Sequence, residues 1–127
     1  MKKLILLLFC TPLLLASMCE DDDDNLSEPC SQVAAYGLNI QVQDAETGVY
    51  FYSQMNVSVQ DGTYSDLLGV APQSDPPTYI GALERTGTYV ITVTKSGYET
   101  YVSDPVVVTA NSCHVIPQFI NIQLQPQ

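Results

Sequence analysis

Between Gly87 and Tyr98, Tyr89, Ile91 and Val93 alternate with Thr88, Thr92 and Thr94, and Val90 is the one apolar residue out of step. A period of two built from β-branched and aromatic residues marks a strand with one face in a core. Gly87 and Gly97 bracket it, and both are expected in turns where a positive φ favours glycine. The same alternation runs through Leu38, Ile40 and Val42, through Met55, Val57 and Val59, and through Ile120, Ile122 and Leu124. Asp44-Ala45-Glu46-Thr47-Gly48 reads as a turn. Asp61-Gly62 predicts a type I′ hairpin, with positive φ at both central positions, leading into a third strand over 63–68. Pro72, Pro76 and Pro77 withhold ladder donors, so 70–78 reads as a loop. Residues 79–84 form a fourth strand, the Gly87 segment a fifth, and 99–103 and 106–109 two shorter ones. No stretch after Cys19 has helical spacing. Seven or eight short strands at near-regular intervals predict an all-β, antiparallel two-sheet sandwich.

The N-terminus follows a different pattern. Lys2 and Lys3 precede an apolar run, Leu4 to Phe9 and Leu13 to Leu15, which is the anatomy of an export signal over 1–18. Ala16-Ser17-Met18-Cys19 resembles the lipobox at which bacterial lipoproteins are cut and acylated on the cysteine. Ala16 stands where that pattern has Leu, and Met18 where it has a small residue. Cleavage without acylation and a buried N-terminal helix are the alternatives. Acylation at Cys19 would attach the chain to a membrane, because two or three acyl chains hold where one gives only marginal binding.

Glu20, Asp21, Asp22, Asp23 and Asp24 follow at once. Adjacent carboxylates repel and bury no apolar area, so 19–29 reads as an extended tether. From Cys19 to Cys30 it reaches on the order of 35–40 Å at full extension. The acidic run lacks the glycine-spaced ligand loop of a dedicated calcium site. It resembles the surface-export tag of lipoproteins in some Gram-negative lineages, which implies an outer-membrane anchor facing the medium; a periplasm-facing anchor is the alternative.

Residues 30–127 make one domain. The formal net charge of the whole chain is −10. Without the leader, Arg85 and Lys95 stand against fourteen acids, a net of −12, and with the tether set aside the domain carries −6. Nucleic acid is a poor partner for such a surface, since phosphates need clustered Lys and Arg.

Val42-x-Asp44-x-x-Thr47-Gly48, Gly87-x-Tyr89-x-Ile91-x-Val93-x-x-x-Gly97-Tyr98 and Val106-Val107-Val108 resemble the carboxypeptidase regulatory-like domain over residues 40–108. The resemblance implies a transthyretin-like (prealbumin-type) sandwich and a non-catalytic module. Val49-Tyr50-Phe51-Tyr52 stands where the family has a proline after Thr47-Gly48. Cys113-His114-Val115-Ile116-Pro117 before a last strand is similar to small bacterial lipoproteins that carry this domain alone.

Candidate chemistry is sparse. Cys30 and Cys113 are the cysteines outside the leader and the acylation site, and an exported chain with one remaining pair suggests a disulfide. Free thiols or a metal pair with His114 are the alternatives, and no further ligand stands in recognisable spacing for zinc. His114 is the only histidine, a residue type more often structural than catalytic when alone. The transthyretin-like enzymes that hydrolyse a urate derivative carry several histidines and a C-terminal tetrapeptide absent here. Ser58 and Ser65 lack a nucleophile-elbow context. The reading is therefore no catalytic residues, no metal and no cofactor. Tyr50, Phe51 and Tyr52 form a possible binding patch for a glycan or an envelope protein, since tyrosine joins a flat apolar ring to a polar tip. Some of the tyrosines must instead fill a core without tryptophan. The expected function is a lipid-anchored, non-enzymatic binding or accessory module. Glycan binding through exposed tyrosines and an unassigned hydrolase are the alternatives.

Overall fold

The structure is a computed structural model that describes residues 29–127. Cys19 and the acidic residues Glu20, Asp21, Asp22, Asp23 and Asp24 lie outside the described residues. Nine strands form, and no helix occurs among the described residues: β1 (Tyr36–Asp44), β2 (Met55–Asp61), β3 (Tyr64–Leu67), β4 (Gly69–Val70), β5 (Tyr79–Leu83), β6 (Gly87–Lys95), β7 (Tyr101–Val102), β8 (Val106–Val108) and β9 (Gln118–Leu124). They make two sheets. One has the order β4-β5-β1-β9, and the other β3-β2-β6-β7, with β8 also on β6.

Alternation dictates what lies between the sheets. Leu38, Ile40 and Val42 of β1 and Ile122 and Leu124 of β9 face Val57 and Val59 of β2 and Tyr89, Ile91 and Val93 of β6. All ten are at most 1 % exposed. The Gly87 segment is thus a core strand, with Val90 turned away from the buried row as its position out of step predicts.

The strands number nine, because after the third strand (Tyr64–Leu67) a further short one, Gly69–Val70, forms where the loop over 70–78 is expected to begin. β3 pairs with β2, the chain crosses at buried Leu68, whose N–H donates to Val57 O (2.8 Å), and β4 joins the opposite sheet beside β5. The sandwich is also not wholly antiparallel. β9 runs parallel to β1 from Leu38↔Gln118 to Asp44↔Leu124. Side-chain alternation sets which face a residue occupies and carries no information about strand direction.

The β2–β3 hairpin is offset by one residue. Asp61 pairs with Tyr64, so Gly62 and Thr63 are the loop residues, and only Gly62 has positive φ (59°). That is the type II′ signature, with glycine first, rather than type I′. Gly97 has the expected positive φ (85°). Gly87 does not, and its reason is space: a Cβ there would run into the Asp61 carboxylate, with Arg85 Nη1 3.1 Å away.

The start of β6 is locked by a tyrosine corner. Tyr89 Oη donates to Arg85 O (2.8 Å) and accepts from Arg85 Nη1 (2.9 Å), and the same nitrogen donates to Asp61 Oδ2 (3.0 Å). The Arg85 guanidinium also lies 3.7 Å from the Tyr64 ring centroid. One cation therefore ties the β2–β3 hairpin to the β5–β6 turn.

Candidate ligand-binding face

Several ionisable groups of the domain brace turns. Asp44 is buried (7 % exposed), and its Oδ1 accepts from Glu46 N (2.7 Å) and Thr47 N (2.9 Å), which shapes the turn that ends at Gly48 (φ 75°). Its Oδ2 accepts from Tyr98 Oη (2.5 Å). That hydroxyl, with the Thr47 and Glu46 amides, holds the Asp44 carboxyl below the usual carboxylate range and raises Tyr98 in turn. Glu84 does the same for the N-terminal arm. Oε1 accepts from Ala35 N (2.7 Å), Oε2 from Val115 N (3.1 Å), and His114 Nδ1 lies 2.5 Å from Oε1. The Ala35 amide first, then Val115 and His114, lower the Glu84 carboxyl.

His114 Nε2 reaches Ser31 O (2.8 Å), so the single histidine links the arm to the loop before β9. The Cys30–Cys113 disulfide spans the same gap, with Cα atoms 5.2 Å apart. Ser58 Oγ donates to Thr92 O (3.4 Å). Among the described residues no three His, Cys, Asp or Glu side chains cluster as metal ligands would.

Tyr50, Phe51 and Tyr52 take different partners. The Phe51 ring stacks edge-on against Tyr98 (5.2 Å between centroids), packs against the core and receives Lys95 Nζ at 4.9 Å. Tyr52 is 60 % exposed and donates to Asp75 Oδ1 (3.3 Å). Tyr50 bridges to Gln43 at the end of β1, and its hydroxyl accepts from Asn121 Nδ2 on β9 (3.3 Å). The Tyr50 ring thus lies across β1 on the outer face of the β4-β5-β1-β9 sheet.

That outer face holds a hollow of about 210 Å³, lined by Asn39, Gln41, Thr78, Phe119, Ile120 and Asn121 and more enclosed than a second one among the described residues. The larger, about 600 Å³, is an open trough along residues 54–56 and 94–98 that ends at Gln127. We favour the smaller as the site, because its polar groups converge and are held in place. The parallel register sets Asn39 beside Phe119 and Gln41 beside Asn121. Gln41 Nε2 donates to Thr78 Oγ1 (3.2 Å), and Thr78 is fixed by its own loop through Ser74 Oγ (3.0 Å) and Pro76 O (3.1 Å). Asn39 Nδ2 donates to Tyr36 O (3.0 Å) and Gln118 O (3.4 Å). Phe119 is 82 % exposed beside them.

None of these residues is among the candidate site residues read from the sequence. The signal was present: the outward positions of β1 are Asn39, Gln41 and Gln43, and those of β9 include Asn121 and Gln123, amides without a charge among them. What the sequence does not show is that these two strands are neighbours. No protein-family model matches this chain, and no curated protein matches it significantly.

Proposed function

We propose that this chain is a lipid-anchored envelope protein whose β-sandwich serves as a non-catalytic binding or accessory module. Its anchor is the acylated Cys19, and Glu20 to Asp24 direct it to the outer leaflet of an outer membrane. The observation that carries this reading is the order at the N-terminus: paired lysines, an apolar run, a cysteine and five acids in succession. An extended acidic spacer after an anchor sets a compact domain clear of the headgroups.

The module is read as carboxypeptidase regulatory-like, with a transthyretin-like arrangement of its two sheets. Support comes from the way separated parts of the resembling pattern meet. Asp44 of the first segment accepts from Tyr98 of the second, and Gly48 and Gly97 both have positive φ. Tyr89, Ile91 and Val93 of the second segment face Val42 of the first across the core. The non-catalytic reading draws support from Asp61, Glu84, Arg85 and His114, which are held in contacts that brace turns.

Expression in a Gram-negative host with an alkyne-labelled palmitate tests the anchor. The expected result is label on the native chain, none on Cys19→Ala, and release of that variant from the membrane fraction. Membrane association of Cys19→Ala equal to that of the native chain would overturn the anchor. Protease shaving of intact cells tests the leaflet. Digestion of the native chain, with protection after Asp21 to Asp24 are replaced by Ala, is expected; protection of both would indicate a periplasm-facing anchor.

A further inference from the structure

We propose that the outer face of the β4-β5-β1-β9 sheet binds a neutral saccharide, with one sugar ring seated in the hollow against Phe119. This rests on the reading of the domain as a non-catalytic binding module, and it names the ligand class.

None of the six lining residues is ionisable, in a domain with eight acids and two bases. A charged ligand would find no counter-charge there. An apolar ligand would strip water from three amides and leave them unpaired, which disfavours it. A neutral ligand rich in hydroxyl groups meets neither penalty.

The nitrogens of Asn39, Gln41 and Asn121 are engaged with Tyr36 O and Gln118 O, with Thr78 Oγ1, and with Tyr50 Oη. Asn39 Oδ1, Gln41 Oε1 and Asn121 Oδ1 accept no hydrogen bond from the described residues. Three carbonyl oxygens are thus oriented through their own nitrogens and remain available to hydroxyl donors. The Tyr50 hydroxyl, which accepts from Asn121, keeps its proton to donate.

A hollow of about 210 Å³ is on the scale of a single sugar ring, not of a drug-sized ligand. Phe119 supplies a flat apolar surface for the C–H side of that ring, while the amides meet its hydroxyl edge. Phe119 is the largest exposed apolar side chain on this face, and nothing in the core depends on it.

The test uses the full chain in detergent micelles, titrated by calorimetry with maltohexaose, cellohexaose, xylohexaose, laminarihexaose and mannohexaose, and with hexagalacturonate as the charged comparison. The expected result is saturable binding of at least one neutral member. Phe119→Ala and Gln41→Ala should each weaken it by about tenfold or more, with thermal midpoints close to the native one. Three results would overturn the assignment: no neutral member binding, binding that both variants leave within about twofold of native, or tighter binding of hexagalacturonate. A failed saccharide assignment is distinguishable from a failed anchor, because palmitate labelling and fractionation report on Cys19 alone.

Discussion

Replacement of Tyr89 by Phe removes one oxygen atom from the strand around which the core is built. The ring stays: Tyr89 is 0 % exposed among Ile91, Val93 and the β1 side chains, and Phe fills the same volume. What is lost is a hydroxyl that donates to Arg85 O (2.8 Å) and accepts from Arg85 Nη1 (2.9 Å). At about 1 kcal/mol net for each intramolecular hydrogen bond, the cost is about 2 kcal/mol. In a domain of this size 1 kcal/mol moves the thermal midpoint by about 4–8 °C, so a fall of about 8–16 °C is expected. Urea unfolding followed by circular dichroism gives the free energy directly, and an unchanged m-value would show that the unfolded state is not altered. Tyr64→Phe is the control, because the Tyr64 hydroxyl makes no hydrogen bond among the described residues while its ring lies beside Tyr89 (6.2 Å between centroids). It should stay within about 0.5 kcal/mol of native. Combining Tyr89→Phe with Asp61→Ala should be non-additive, since both act through Arg85 Nη1. A Tyr89→Phe protein as stable as native, or a Tyr64→Phe protein equally weakened, would refute the locked corner.

Two further outcomes are expected. Reduction of Cys30–Cys113, or Cys113→Ser, opens a cross-link with a sequence separation of 83; chain entropy sets the loss at up to about 4.5 kcal/mol, read as a lower midpoint under reducing conditions, and two alkylatable thiols on the folded, non-reduced protein would refute the bridge. Asp44 and Glu84 both have folded-state pKa values lowered below the ordinary carboxylate range. Their stabilisation is therefore complete above the unfolded values of about 4 and is lost as pH falls through the folded ones. Acidification also relieves repulsion within a domain of net charge −6, which acts in the opposite direction. The decisive quantity is the difference between native and Asp44→Asn midpoints, which should shrink between pH 6 and pH 2.5; a constant difference would sink the assignment.

Much of the architecture was legible because burial and alternation are local. Leu38, Ile40 and Val42, and likewise Tyr89, Ile91 and Val93, declare their inward face through neighbours two positions away. Asp44 and Gly48 announce their turn through side-chain and backbone preferences that act within five residues. The Cys30–Cys113 pair was readable by elimination, with no geometry needed.

The candidate site was not legible, because it depends on which strands lie side by side. Asn39 and Phe119 are eighty positions apart, and nothing in either segment specifies that β9 returns parallel to β1 in a register that sets them together. The same holds for Gly87, whose lack of a side chain answers to Asp61 in a distant hairpin and not to its own φ. Tyr50, Phe51 and Tyr52 are adjacent in sequence, and their partners Asn121, Tyr98 and Asp75 are known only from the fold. An all-β domain, its inward rows and its main turns follow from residue order through short-range sterics and the period of the strand, and its paired cysteines follow by elimination. Strand direction, the crossing at Leu68 and the row of amides beside Phe119 come instead from long-range pairing, which the period of a single strand does not encode.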